Sequence, residues 1–131
     1  MSVARPAGGQ ARNRALERRL LEATAAHAER WFGIGCGSYQ GAVLRRLELG
    51  ARRYGDDFFL DPDRDNHREL LEETPDVAGY ALLVLQRLAK EPGGVPERVR
   101  DDLLTVMVLA AAADAFARRA GRRLREGRPR P

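Results

Sequence analysis

Through four long stretches of this chain, apolar residues recur every three or four positions, and Gly- and Pro-rich breaks separate the stretches. That spacing is the repeat of one helix face, so each stretch must hide a side against another helix. In the first, about Gln10 to Phe32, the stripe is Leu16, Leu20, Thr24, His27 and Trp31, and Gly33-Ile-Gly-Cys-Gly37 ends it. Ser38 can cap the second, about Tyr39 to Tyr54, with Val43, Leu44, Leu47, Ala51 and Tyr54 facing inward. Gly55-Asp56-Asp57 stops that helix, and a loop through Asp61-Pro62-Asp63 follows.

The third stretch opens on Asn66, with Glu69 three residues on as a capping box, and runs to about Lys90 before Glu91-Pro92-Gly93-Gly94. Pro75 costs about 3 kcal/mol in a helix interior. The helix is therefore either kinked but continuous, the preferred reading, or restarted with Thr74 as N-cap. The fourth runs from Pro96 to about Arg125, with Val99, Leu103, Val106, Met107, Ala110, Ala113 and Ala117 inward. Nothing reads as a strand. The pattern predicts an all-α four-helix bundle with mostly antiparallel neighbours: one helical domain over residues 10–126, a flexible lead over 1–9 and a flexible tail over 127–131.

The charge needs dissecting before it is read. The net +4 splits into +3 over residues 1–32, −3 over 33–91 and +4 over 92–131, so the ends are basic and the middle acidic. Of 23 basic residues 22 are Arg, which together with many Ala and Gly is more simply a codon bias than a guanidinium requirement. Arg118, Arg119, Arg122, Arg123 and Arg125 cluster, but no aromatic residues interleave with them, and nucleic acid is not the expected partner. A single cysteine, Cys36, forbids an internal disulfide, and between glycines with no evident base it is not read as a nucleophile. The longest apolar run, Leu103 to Ala113, is about half of a membrane span, and no signal peptide is evident, so a cytoplasmic location is expected.

Chemistry concentrates on the third helix. At about 100° per residue, Glu69, Glu72, Glu73 and Asp76 share one arc that Tyr80, Leu83 and Arg87 continue. Leu70, Val77, Ala81, Leu85 and Leu88 fill a separate arc that must face the core. Carboxylates at helical spacing repel one another, and solvent, basic side chains or a hard cation such as Mg²⁺ can offset that cost. A solvated face favoured by the helix macrodipole is the plainer explanation. Beyond Asp76 the helix turns apolar nearly all round, which places the acids at the mouth of a packed bundle, where metal sites are built.

Glu69-Leu-Leu-Glu-Glu-Thr-Pro-Asp-Val-Ala-Gly-Tyr80 resembles the second metal-binding helix of the MazG-like all-α nucleotide pyrophosphohydrolases. Gly50-Ala-Arg-Arg-Tyr-Gly-Asp-Asp57 is similar to the segment that precedes that helix in phage and bacterial MazG-like proteins. The resemblance covers about residues 39–90. It implies a Mg²⁺-dependent (or Mn²⁺-dependent) enzyme that splits a nucleoside triphosphate into monophosphate and pyrophosphate. Glu73 and Asp76 match the family's Glu-x-x-Asp, and Glu48 takes the last position of its Glu-Glu-x-x-Glu. Leu44 and Arg45 stand where the other two acids belong. With Glu48, Glu73 and Asp76 as ligands, Glu69 or Glu72 serves as further ligand or base. Arg52, Arg53 and Arg87 meet phosphate oxygens. Tyr80 stacks on a base or serves as a buried bundle aromatic. The opposing expectation is a non-catalytic helical protein that kept the bundle and lost the site.

Three more residues carry expectations. His27 reads as a satisfied interior histidine, and His67 as part of local capping structure. Asp114, on the inner stripe of the fourth helix, needs a partner, most simply an Arg in an ion pair. The apolar content of the third and fourth helices exceeds what one thin bundle hides. A homodimer is therefore expected, as the resemblance also implies, with the second subunit helping to line the pocket.

Overall fold

The structure, a computed structural model, describes residues 11–128. It is all-helical, in the order α1 (Arg14–Phe32), α2 (Tyr39–Tyr54), a 3₁₀ turn (Phe58–Leu60), α3 (Asn66–Ala89) and α4 (Glu97–Glu126). The lead expected over residues 1–9 lies outside the described residues, as does the tail apart from Gly127 and Arg128. No helix among the described residues is long and apolar enough to cross a membrane. The chain divides into two compact units, Met1–Arg64 and Asp65–Pro131.

In the first unit α1 packs on α2. Asn13 caps α1, its side chain accepting from the Leu16 amide at 3.0 Å. Gly33 ends it at φ 65°, a left-handed conformation open to glycine, donating its N–H to the Glu29 carbonyl at 2.8 Å. The face of α1 that is half-buried is Glu17, Leu21, Ala25 and Ala28. The expected stripe of Leu16, Leu20, Thr24, His27 and Trp31 is exposed instead, with Trp31 at 77%. Its spacing is helical, but the packed face lies one residue further on, a rotation of about 100°. His27 accordingly is not interior; its ring sits 6.2 Å from that of Trp31.

On α2, Val43, Leu44, Leu47 and Ala51 are half-buried as expected, while Tyr54 is exposed and stacks on Phe58 with centroids 4.6 Å apart. Gly50 permits a close approach. A Cβ there would overlap the Phe59 ring, so the glycine lets the 3₁₀ turn fold back onto α2. Neither α1 nor α2 holds a fully buried residue.

The second unit is the antiparallel pair α3–α4. Its cap is Asp65 rather than Asn66: the Asp65 carboxylate accepts from the Arg68 amide at 3.0 Å. The helix then passes through Pro75 without interruption to Ala89. Residues 67, 71, 74, 78, 81, 85 and 88 of α3 turn inward, as do 103, 107, 110, 114, 117 and 121 of α4. The alternating steps of three and four are those of a coiled-coil seam.

The fully buried members of that seam are all small: Thr74, Ala81, Ala110, Ala117 and Gly121. Small side chains let the backbones approach, and Gly121 marks the limit. A Cβ there would stand 2.5 Å from His67 Cε1. His67 is therefore a seam residue rather than part of a local cap, with Nε2 2.7 Å from the Ala117 carbonyl oxygen. Because a carbonyl only accepts, the bond requires the proton on Nε2.

The close seam decides what is left outside. Ala81, Leu85 and Leu88 face inward as expected, but Leu70 and Val77 do not. On α4, Leu103, Met107, Ala110 and Ala117 face inward, while Val99, Val106 and Ala113 are exposed. Nor is the segment after Asp76 buried on several sides: Tyr80, Leu82, Leu83 and Val84 are all exposed.

Candidate functional site

The acidic strip of α3 is present as a continuous exposed row. Glu69, Glu72, Glu73 and Asp76 are all exposed, and Glu72 stands 3.6 Å from Arg68 one turn back. Among the described residues Glu69, Glu73 and Asp76 have no ion-pair partner within 4 Å. Pro75 lies between Glu73 and Asp76, and because the helix does not break there the two carboxylates keep their one-turn spacing. Asp76 continues into a groove of about 430 Å³ that it lines with Gly79, Tyr80, Leu82, Leu83 and Gln86. Tyr80, 71% exposed, presents its ring at this groove and is not a buried bundle aromatic. Arg87 is exposed on the following turn.

Glu48 belongs to the first unit and has a different environment. Arg14 donates to both its oxygens, Nε to Oε1 at 2.6 Å and Nη2 to Oε2 at 3.1 Å, and Arg12 Nη2 adds a third bond at 3.1 Å. Arg14 also reaches Asp56 at 2.6 Å, and Arg12 grips Glu17 through two bonds of 2.7 and 2.8 Å. Two guanidiniums thus serve three carboxylates. The bond from Arg14 is the main reason that the Glu48 carboxyl is held below the usual carboxylate range, while the bonds to Asp56 and, second, to Glu48 raise the Arg14 guanidinium. The Arg12 side chain is only 2% exposed.

Around Glu48, a second groove of about 460 Å³ is lined by Leu44, Arg45, Leu49 and Arg52. The two positions where the resembled family carries acids therefore do adjoin Glu48, and here they contribute an isobutyl group and a guanidinium. Arg53 is exposed nearby, 6.0 Å over the Tyr54 ring, and lines a separate groove with Leu47 and Phe59.

Sequence reasoning missed Arg12 and Arg14 as partners of Glu48, and no local spacing signals a pairing across 34 to 36 positions. It anticipated an ion pair at Asp114 but not its arrangement. Asp114 accepts from Arg118 of its own helix at 2.9 Å and from the buried Thr74 hydroxyl of α3 at 3.0 Å. Chiefly through Arg118, its carboxyl too lies below the ordinary range.

Among the described residues no group of three His, Cys, Asp or Glu side chains converges as a metal site would. The donor chemistry of Glu73 and Asp76 nevertheless fits Mg²⁺. That ion is commonly held by one or two carboxylates and completes its shell with water and substrate phosphate oxygens. In comparison with known proteins, the chain matches no family model, and no curated protein or solved structure matches it.

Proposed function

We propose that this protein is a MazG-like, Mg²⁺-dependent nucleoside triphosphate pyrophosphohydrolase, converting NTP and water to NMP and pyrophosphate on the acidic strip of α3. The observation that carries the reading is the uninterrupted course of α3 through Pro75. It leaves Glu73 and Asp76 one turn apart and free of ion pairs, with Asp76 lining the groove beside Tyr80. In this reading the fold is MazG-like and the active form is a cytoplasmic homodimer.

Glu73 and Asp76 would hold Mg²⁺ (or Mn²⁺), which when bound neutralises phosphate charge and activates water. The chain's own groups supply the rest. Glu69 or Glu72 takes the proton of the attacking water, within one or two turns of the ligands. Arg87 binds phosphate oxygens, for which a guanidinium is suited by its paired N–H donors. The exposed ring of Tyr80 offers a stacking surface to a base. Pyrophosphate release from a panel of nucleoside triphosphates with Mg²⁺ or Mn²⁺ tests the proposal. Glu73→Gln is expected to lower turnover at least about 100-fold, the upper range even for a residue one shell removed from a metal. Equal turnover in wild type and variant, or none in either, defeats it.

One observation favours a second reading, a non-catalytic helical interaction protein with a degenerate metal site. Glu48 is already neutralised by Arg12 and Arg14, so a cation there must displace two guanidiniums.

A further inference from the structure

The catalytic reading leaves the outer face of α2 unused. At about 100° per residue, Arg45, Arg46, Leu49, Arg52 and Arg53 share an arc of about 120°, and each of them is exposed. Leu49 lines two grooves. One, of about 290 Å³, also holds Arg46, Arg53, Tyr54 and Phe59; the other, of about 460 Å³, holds Arg45 and Arg52. In each groove the arginines stand two turns apart, about 10.5 Å along the helix.

These guanidiniums are unpaired although a carboxylate stands among them. Glu48 is three residues from Arg45 and four from Arg52, the spacing at which ion pairs form on a helix. Arg12 and Arg14 take it instead, through bonds of 2.6 to 3.1 Å. Among the described residues, Arg45, Arg46, Arg52 and Arg53 have no carboxylate within 4 Å. Like charges so placed repel one another, and a bound anion relieves that cost. Aromatic rings border the arginines. Tyr39 and Tyr54, the first and last residues of α2, are exposed, and Phe58 backs the Tyr54 ring in a stack. Gly50 brings the Phe59 ring against the helix, at the groove that Arg46 and Arg53 line.

We propose that the outer face of α2 binds single-stranded nucleic acid, its arginines on phosphates of the strand and Tyr54 stacked on a base. A strand suits this face because its repeated phosphates match charges spread over two turns, and because every base offers a ring face to an aromatic side chain. A duplex keeps those ring faces inside its own stack. A lipid surface calls for a broad apolar side, whereas this arc sets only Leu49 among its arginines. The arginines within residues 118–125, which gave no expectation of nucleic acid, belong to another helix. Binding on α2 needs no turnover, so it stands whether or not the acids of α3 are catalytic.

Fluorescence anisotropy of labelled oligothymidylate or oligouridylate against the full chain tests it, with EDTA present so that no divalent cation contributes. Micromolar binding is expected at about 50 mM salt, with log K falling against log salt at a slope of about −2.8, the value for phosphate contacts by all of the α2 arginines. Arg46→Gln with Arg53→Gln should weaken binding at least tenfold and reduce the slope by about 1.4. Tyr54→Ala should weaken it about tenfold with the slope unchanged, while Tyr54→Phe keeps the wild-type affinity. Arg122→Gln with Arg123→Gln, the same charge change on α4, should alter affinity less than about twofold. All variants should keep the helical circular dichroism, since the substituted side chains are exposed. No binding at about 100 μM, equal losses from the α2 and α4 pairs, equal affinity for a duplex, tighter retention on phosphatidylserine vesicles, or a Tyr54→Ala variant that binds like wild type would each overturn the proposal.

Discussion

α1 and α2 meet through guanidinium–carboxylate pairs and half-buried apolar side chains, with no residue of either helix fully enclosed. α3 and α4 meet along a seam whose fully buried members are alanine, glycine and threonine, close enough that one added carbon at position 121 overlaps a histidine ring. The first contact depends on charge, which salt weakens. The second depends on shape, which tolerates salt but not volume. The acidic strip and the groove beside it are built on the second, more closely packed pair, and Glu48 on the first.

That contrast can be broken most sharply at Gly121. Gly121→Leu should destabilise the α3–α4 pair by about 3 kcal/mol through overpacking, read as a lowered denaturation midpoint. Gly121→Ala tests the same point more finely: better helix propensity returns up to about 1 kcal/mol, so the net loss should be only about 1 kcal/mol.

Thr74→Val keeps the shape of the seam and removes one hydroxyl. It should cost about 1.5 kcal/mol, the range for a hydrogen bond to a charged group. Arg118 remains on Asp114, so the remaining carboxylate is not left unpaired.

A smaller effect should appear on the first pair. Raising the salt to about 1 M shortens the screening length to about 3 Å. Amide exchange should then quicken in α1 and α2 by a few-fold and stay unchanged in α3 and α4. Acid acts in the same direction. The Glu48 carboxyl is held low in the folded protein, so its contribution is complete above its unfolded value of about 4.3 and is lost as pH falls through the lowered folded value. Glu48→Gln should remove that acid-dependent part of the α1–α2 protection. Equal salt sensitivity in the two pairs would erase the distinction.

The extents of the helices, and the survival of α3 across Pro75, were legible in the sequence because periodicity and breakers are local signals; the exception is the start of α1, expected near Gln10 and found at Arg14 behind the Asn13 cap. Which face packs was less legible. On α1 the expected stripe lies one residue from the packed one, and on α3 and α4 two adjacent heptad stripes compete, one of them large and apolar. Small residues hold the fully buried seam positions, where they allow the closest approach, and Tyr80, Val77 and Phe116 are left outside. The acidic strip was legible for the same local reason. The surroundings of Glu48 were not, since Arg12 and Arg14 reach it from a distant part of the chain.

The central claim is that the free carboxylates on α3 bind a divalent cation, and calorimetric titration of the full chain with Mn²⁺ tests it most directly. Saturable binding that Glu73→Gln and Asp76→Asn each weaken at least tenfold, while the helical signal is unchanged, is the predicted result. Absence of binding, or binding that neither substitution alters, would contradict the account and leave α3 a helix whose acids serve only solvent.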